Sequence, residues 1–299
     1  MSLSSLFQLL GLSAIWGGSF LFMRMAVPAL GPAVMIELRV LFAAIFLAIV
    51  ALIIKKKLNL RQHWRTFLFL GLFNTGLPFL LIAYAAQTLS VSLLSIINAM
   101  APVWGVVIGF LWKGSRLTVK TALGLLLGVV GVAVLVGFDA SVGWSDSLAV
   151  MASLAAALCY GIASNFVQHN QAEGAKPIEP FANAHGSMWA ASLWLLPFIP
   201  FAPANYMPSP TIALAVVALG VVCSGIAYLM YFKLIVDIGA PGALTVTFLV
   251  PFFGVLWGVL FLAEPLSWNI WVGAPVVVAG TMLVTGFSAS ALFKRKRSS

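Results

Sequence analysis

Charge is what this chain has least of: 8% of its 299 residues are charged and 62% are hydrophobic. A soluble domain carries about 25% charged residues, so too little polar surface exists to face water and most of the chain must face lipid. Acid is scarcer still, with seven Asp and Glu in all, and only Glu37 falls within an apolar run. Carboxylates inside a membrane usually mark proton relays or cation sites, and this chain has no cluster of them. Cysteine is limited to Cys159 and Cys223, both in apolar stretches, which argues against a disulfide framework and for two small buried side chains. His63, His169 and His185 form no motif with the acids, so the groups for acid–base catalysis at an interface are lacking. No catalytic residue, metal or cofactor is expected. Nor is a cleavable leader, because the N-terminus has no basic stretch and its apolar run continues into the first helix.

What is present is a series of apolar runs of spanning length, about 20 residues. Ten can be cut: 5–23, 33–54, 66–86, 92–112, 119–137, 146–168, 180–200, 210–236, 240–262 and 269–289. The expected fold is therefore an all-α polytopic membrane protein. Its net charge of +9 does not point to nucleic acid, because the basic residues sit at helix ends. Lys55, Lys56, Lys57, Arg61 and Arg65 follow helix 2; Lys113, Arg116 and Lys120 follow helix 4; Lys176, Lys233 and Lys294 to Arg297 complete the set. With ten helices all of these lie on one side, and the positive-inside rule puts both termini in the cytoplasm. The tail Lys294–Arg297 reads as a topology anchor near anionic lipid. Only Arg24 and Arg39 fall outside the pattern.

The chain is also repeated. Shifted by 149 residues, Ala101–Phe138 aligns with Val250–Phe287 without a gap, with eleven identities. They include Pro102/Pro251 and the glycine pairs 105/254, 109/258, 124/273, 131/280 and 137/286. At a shift of 144, Ile82–Tyr84 recurs as Ile226–Tyr228, and Trp16-Gly17 meets Tyr160-Gly161. Two five-helix halves follow, 1–140 and 141–299, divided near Asp139 to Asp146. Five is odd, so the second half must lie inverted. The loop charges agree: the basic loop after helix 2 corresponds to an uncharged "PFAPANYMPSP", and "KGSR" after helix 4 corresponds to "LAEP", with Glu264 opposite Ser115. Inverted repeats are the architecture of alternating-access carriers, whose solute site lies near the midplane between the halves.

Ser92, Ser95, Asn98, Pro102, Gly105 and Gly109 recur at three- and four-residue steps along one helix face, matched by Pro241, Thr245, Phe248, Pro251, Gly254 and Gly258. Small residues permit close helix approach in lipid, and a proline within a helix frees a carbonyl one turn earlier. Pro102, Gly105, Pro251 and Gly254 are read as hinge and packing positions. Asn98 is either packed or cavity-facing.

The pattern "WGGSFLFMRM" at Trp16–Met25, "RVLFAA" at Arg39–Ala44, and a proline-glycine helix ending in "LAEPLS" resembles the EamA family of the drug/metabolite transporter superfamily. The similarity runs over nearly the whole chain and is greatest to bacterial exporters of aromatic and neutral amino acids. It departs from the family at Ser115, where an acidic residue is usual. The resemblance implies a bacterial inner-membrane carrier with helices 1, 3, 4, 6, 8 and 9 around the cavity. On those helices the solute-binding candidates are Trp16, Asn74, Tyr84, Asn98, Trp104, Tyr160, Ser164, Tyr228 and Thr245, with Thr75, Asn165 and Ser224 beside them. Trp112, Trp194 and Trp268 are read as interfacial belt residues, and His185 as locally satisfied. With neither a carboxylate nor a basic cluster at mid-depth, a net-neutral, amino-acid-like solute is expected, moved outward without proton coupling. The other expected partner is the lipid bilayer, with no nucleic acid, around a monomer. Two alternatives stand: a proton-coupled multidrug or metabolite exporter, which needs a buried titrating group, and a membrane enzyme of lipid or cell-wall metabolism, which needs convergent His and carboxylate groups.

Overall fold

The computed structural model describes residues 2–114, 118–137, 144–172 and 178–286, and every regular element among them is helical. Seven helical stretches are long and apolar enough to cross a membrane. Ser115, Arg116, the junction at 138–143, Lys176 and the basic tail lie outside the described residues.

The first element, α1 (Leu3–Ile53), has 51 residues and would measure about 77 Å if straight, more than twice the hydrocarbon thickness of a bilayer. It is not straight. Gly31 takes φ 65° and ψ 165°, a conformation open to glycine but strained for residues with a side chain, and it stands between Pro28 and Pro32. Residues 23 and 39 would be about 24 Å apart on one continuous helix. Instead the Arg39 guanidinium reaches the Met23 sulfur at 3.4 Å, so the chain doubles back at Gly31.

Next come α2 (Leu60–Leu70), a π-helical segment Gly71–Gly76, and α3 (Leu77–Ala85). The fourth expected helix is divided into α4 (Val91–Asn98) and α5 (Ala101–Lys113). Pro102 explains the break, since it has no N–H for the carbonyl of Asn98. Val103 and Trp104 both bond back to Met100 O, and the Ala99 carbonyl left over accepts from the Thr281 hydroxyl at 3.0 Å. Pro102 thus sits in the first turn of a new helix, where proline is well tolerated, rather than in mid-helix.

The remaining elements are α6 (Val119–Val136), α7 (Trp144–Ala172), α8 (Pro180–Leu195) with a 3-10 extension Leu196–Phe201, α9 (Pro210–Gly220), a second π segment Val221–Ile226, α10 (Ala227–Ala243, turning at Gly239), α11 (Val246–Leu262) and α12 (Trp268–Thr285). The expected seventh helix is shorter than its apolar run because Pro197 and Pro200 fall in the 3-10 stretch. The segment after it folds over the turn at Gly31, with the backbone N–H groups of Asn205 and Tyr206 both donating to Ala29 O.

Glycine decides how the helices meet. A methyl group on Gly17 would come within 2.9 Å of Gly254 N, and one on Gly161 within 2.9 Å of Gly105 N. Backbone therefore lies on backbone at α1–α11 and again at α7–α5. Likewise Gly124 faces the Gly280 carbonyl and Gly280 faces the Gly124 carbonyl, each at 2.8 Å from the position a Cβ would take, which binds α6 to α12. Around these seams Leu12, Met35, Leu47, Leu94, Met188, Leu219 and Leu234 are fully buried in one apolar cluster. Cys159 and Cys223 are buried and free.

Candidate functional site: a central cavity

Lined by residues of α1, α3 to α8, α10, α11 and the two π segments is a cavity of about 840 Å³, within the range of small-molecule sites. Of the expected binding residues, Trp16, Asn74, Asn98, Tyr160, Ser164 and Tyr228 line it, as do Pro102 and Gly105. Trp16 makes an edge-on contact with Tyr228, ring centroids 6.3 Å apart, and a tilted one with Tyr231 at 5.4 Å. Together they form an aromatic wall. Polar groups belong to the lining too. The Asn98 side-chain oxygen and the Thr75 hydroxyl are buried without a hydrogen-bond partner, and both residues belong to the lining.

Three expected residues lie elsewhere. Tyr84 is 42% exposed at a shallow dent beside Gln87, Thr88 and Ala149. Trp104 is not in the lining; its backbone packs on Gly161, and its indole N–H is buried without a hydrogen-bond partner. The Thr245 hydroxyl turns back to its own chain, donating to Gly242 O at 2.7 Å. Pro251 and Gly254 are buried in α11 outside the lining, and Gly254 abuts the Ser95 side chain. Asn165 is held by the Gly105 and Gly161 carbonyls, at 2.7 and 3.0 Å, so its amide ties α7 to α5. His185 accepts from the Trp189 indole at 3.0 Å, and Trp112, Trp194 and Trp268 are exposed.

Arg39, absent from the candidates, lines the cavity and is only 4% exposed. Its Nε donates to Ser224 Oγ at 3.1 Å, and its guanidinium lies 3.7 Å from the centre of the Phe79 ring. The π segment Val221–Ile226 supplies this partner. There Ser224 donates to the carbonyl of Leu219, five residues back, at 3.0 Å, which leaves its oxygen lone pairs for Arg39. The sequence held one signal for the site: a lone cation in the middle of an apolar run, which is costly unless it faces a cavity or a partner. Glu37, two residues away, is on another face. It accepts from the Ser192 hydroxyl at 2.5 Å and does not line the cavity.

A third contact not anticipated in this role holds the start of α4, one turn before Ser95 of the lining. Glu264, following α11, accepts from the backbone N–H of Val91 at 2.6 Å, from that of Ser92 at 3.1 Å and from the Ser92 hydroxyl at 2.7 Å. A carboxylate on the free N–H groups of a helix start is favoured by hydrogen bonding and by the helix dipole together. Along α5 the lining continues to Phe110, and it includes Thr121, Gln168 and Thr247.

The family model described as the EamA-like transporter family matches residues 3–137 and 147–286. The uncharacterized transporter YvbV of Bacillus subtilis is 26% identical over 90% of this chain and 88% of its own. The uncharacterized transporter YoaV of the same organism is 24% identical over 93% and 95%. An uncharacterized transporter of Archaeoglobus fulgidus is 22% identical over 90% and 94%. A protein of known crystal structure, 22% identical, superposes with a TM-score of 0.63 over 95% of this chain and 97% of its own.

Proposed function

This chain belongs to the EamA-like transporter family, and from that premise we propose that it is a facilitative carrier exporting neutral and aromatic amino acids, or similar small metabolites, across a bacterial inner membrane. The observation that carries the reading is the cavity: roomy enough for an amino acid or a larger metabolite, walled by Trp16, Tyr160 and Tyr228, and set with unpaired polar atoms on Asn98 and Thr75. Aromatic faces suit a flat or branched side chain at about 0.5–1.5 kcal/mol per ring pair, so affinity is weak and selectivity among large neutral solutes modest.

Ten spans, in two inverted halves 1–140 and 141–299 with both termini in the cytoplasm, complete the proposal. Three structural features support ten crossings: α1 turns back at Gly31, α11 is an apolar helix of 17 residues, and α8 runs on through its 3-10 extension to Phe201. The seams support the repeat. Gly17 on Gly254 and Gly161 on Gly105 are the same contact with the halves exchanged. In this orientation the cavity opens to the cytoplasm, and Glu264 closes the outer end.

The proton-coupled alternative lacks a titrating acid or histidine in the described lining, which favours uniport. Counterflow tests alternating access. Liposomes containing the protein and loaded with unlabelled L-phenylalanine should take up external labelled L-phenylalanine several-fold faster than unloaded ones. Equal rates in loaded, unloaded and protein-free liposomes would refute the carrier.

A further inference from the structure

Arg39 carries a full charge into a cavity that offers it no counter-charge. Among the described residues the ion pairs are Lys56–Glu179, between the segments flanking α1 and α8, and Lys233–Asp237, within α10, and no Asp or Glu lines the cavity. Glu37 does not serve, because positions two apart on a helix point to different sides and its carboxylate is held by Ser192. A buried charge normally has a partner. The missing partner is therefore sought in what the cavity binds.

The guanidinium is oriented for this. It has five N–H donors in a rigid fork. Nε is committed to Ser224 and Nη1 touches the Met23 sulfur, a weak acceptor, at 3.4 Å. Nη2 has no protein acceptor among the described residues. Phe79 covers one face of the plane, and the Ser224 contact prevents rotation about the side-chain axis. The edge that remains is the one with which arginine grips a carboxylate through two parallel hydrogen bonds.

We propose that Arg39 is the anion subsite of the cavity, that it takes the carboxylate of the solute, and that the solute's amino group is dispensable. The inference rests on the carrier reading above and narrows its substrate class to organic monocarboxylates, amino acids among them. An ammonium group in this cavity finds only neutral acceptors such as the Asn98 oxygen, and it is brought close to a fixed positive charge. Removing the amine therefore costs little, whereas removing the carboxylate leaves Arg39 buried and unpaired.

Three probes of one size separate these terms: L-phenylalanine, 3-phenylpropionate, which lacks the amine, and L-phenylalaninamide, which lacks the carboxylate. Each is titrated against the purified wild-type protein in lipid nanodiscs, with the ligand-induced rise in Tm as readout. The two acids should stabilise the protein with apparent affinities within about three-fold of each other, and the amide should be at least ten-fold weaker. Arg39→Gln should abolish the response to both acids, and Arg39→Lys, which keeps the charge but loses the fork, should give an intermediate one. An amide that binds as well as the acids overturns the subsite, and so does an Arg39→Gln protein that responds like the wild type, or a wild type that responds to none of the three. If Arg39→Gln fails to fold, the wild-type comparison of acids with amide still decides. Acids that bind through Arg39 but are not moved across proteoliposomes would overturn the carrier reading and leave the subsite standing.

Discussion

The carboxylate of Glu264 is hydrogen-bonded to Ser92 twice, at the backbone N–H and at the hydroxyl, across 172 positions of sequence. Together with the bond to the Val91 N–H, it fastens the end of α11 to the start of α4, a contact that on the reading proposed above closes the cavity at that end. The aligned position in the first half is Ser115, which has no carboxylate. The sequence thus offers a carboxylate at this position in one half only, and on the carrier reading proposed above that asymmetry favours the state with its outer end closed.

Hydrogen bonds to a charged group contribute about 1.5–3 kcal/mol each, so Glu264→Ala should loosen that end considerably. In a protein lacking Cys159 and Cys223, a single cysteine at Ser95 lines the cavity and reports its accessibility. Its reaction with an impermeant thiol reagent applied outside the cell should accelerate at least ten-fold on Glu264→Ala, and less on Glu264→Gln. An unchanged rate would mean that the seal lies elsewhere.

The glycine seams make a second prediction. Gly17→Ala and Gly161→Ala each place a methyl group within 2.9 Å of backbone nitrogen on the facing helix, and overpacking of this kind costs about 1–3 kcal/mol. Both should lower the Tm of the purified protein by several degrees. Gly11→Ala is the control, because its nearest neighbour would be the flexible end of Met230 at 3.6 Å, and its Tm should stay close to wild type. Equal effects at all three positions would show that helix flexibility, not contact, is being measured.

Topology is tested by labelling intact cells. A cysteine near Asn59 should be protected from an impermeant reagent, and one near Asn205, in the segment lying over the Gly31 turn, should react. Protection of position 205 together with labelling of position 59 would reverse the orientation of the whole bundle.

Much of this architecture was legible in the sequence because its determinants are local or periodic. Apolar run length marks the helices, and glycine pairs at constant shifts mark the seams. The division of the fourth helix was half-visible: Pro102 was plain, but the rescue of the Ala99 carbonyl by Thr281 joins residues 182 apart. Trp16, Tyr160 and Tyr228 were recognisable as aromatic residues at mid-depth. Trp104 satisfied the same criterion and packs against Gly161, since depth does not determine which way a helix face points. Arg39 was set aside as an isolated cation, and its role depends on a π segment that turns Ser224 toward it. Helical periodicity alone does not reveal a local change of pitch.

On the proposed reading, a cavity lined by no acid or histidine among its described residues moves its solute down that solute's own gradient. The direct measurement is the uptake of labelled L-phenylalanine into liposomes containing the protein, with no imposed pH gradient, in the presence and absence of a protonophore. Uptake should reach the external concentration and stop there, at a rate the protonophore changes by less than two-fold. Accumulation many-fold above the external concentration, abolished by the protonophore, would contradict the account and make the buried carboxyl of Glu37 the first group to replace.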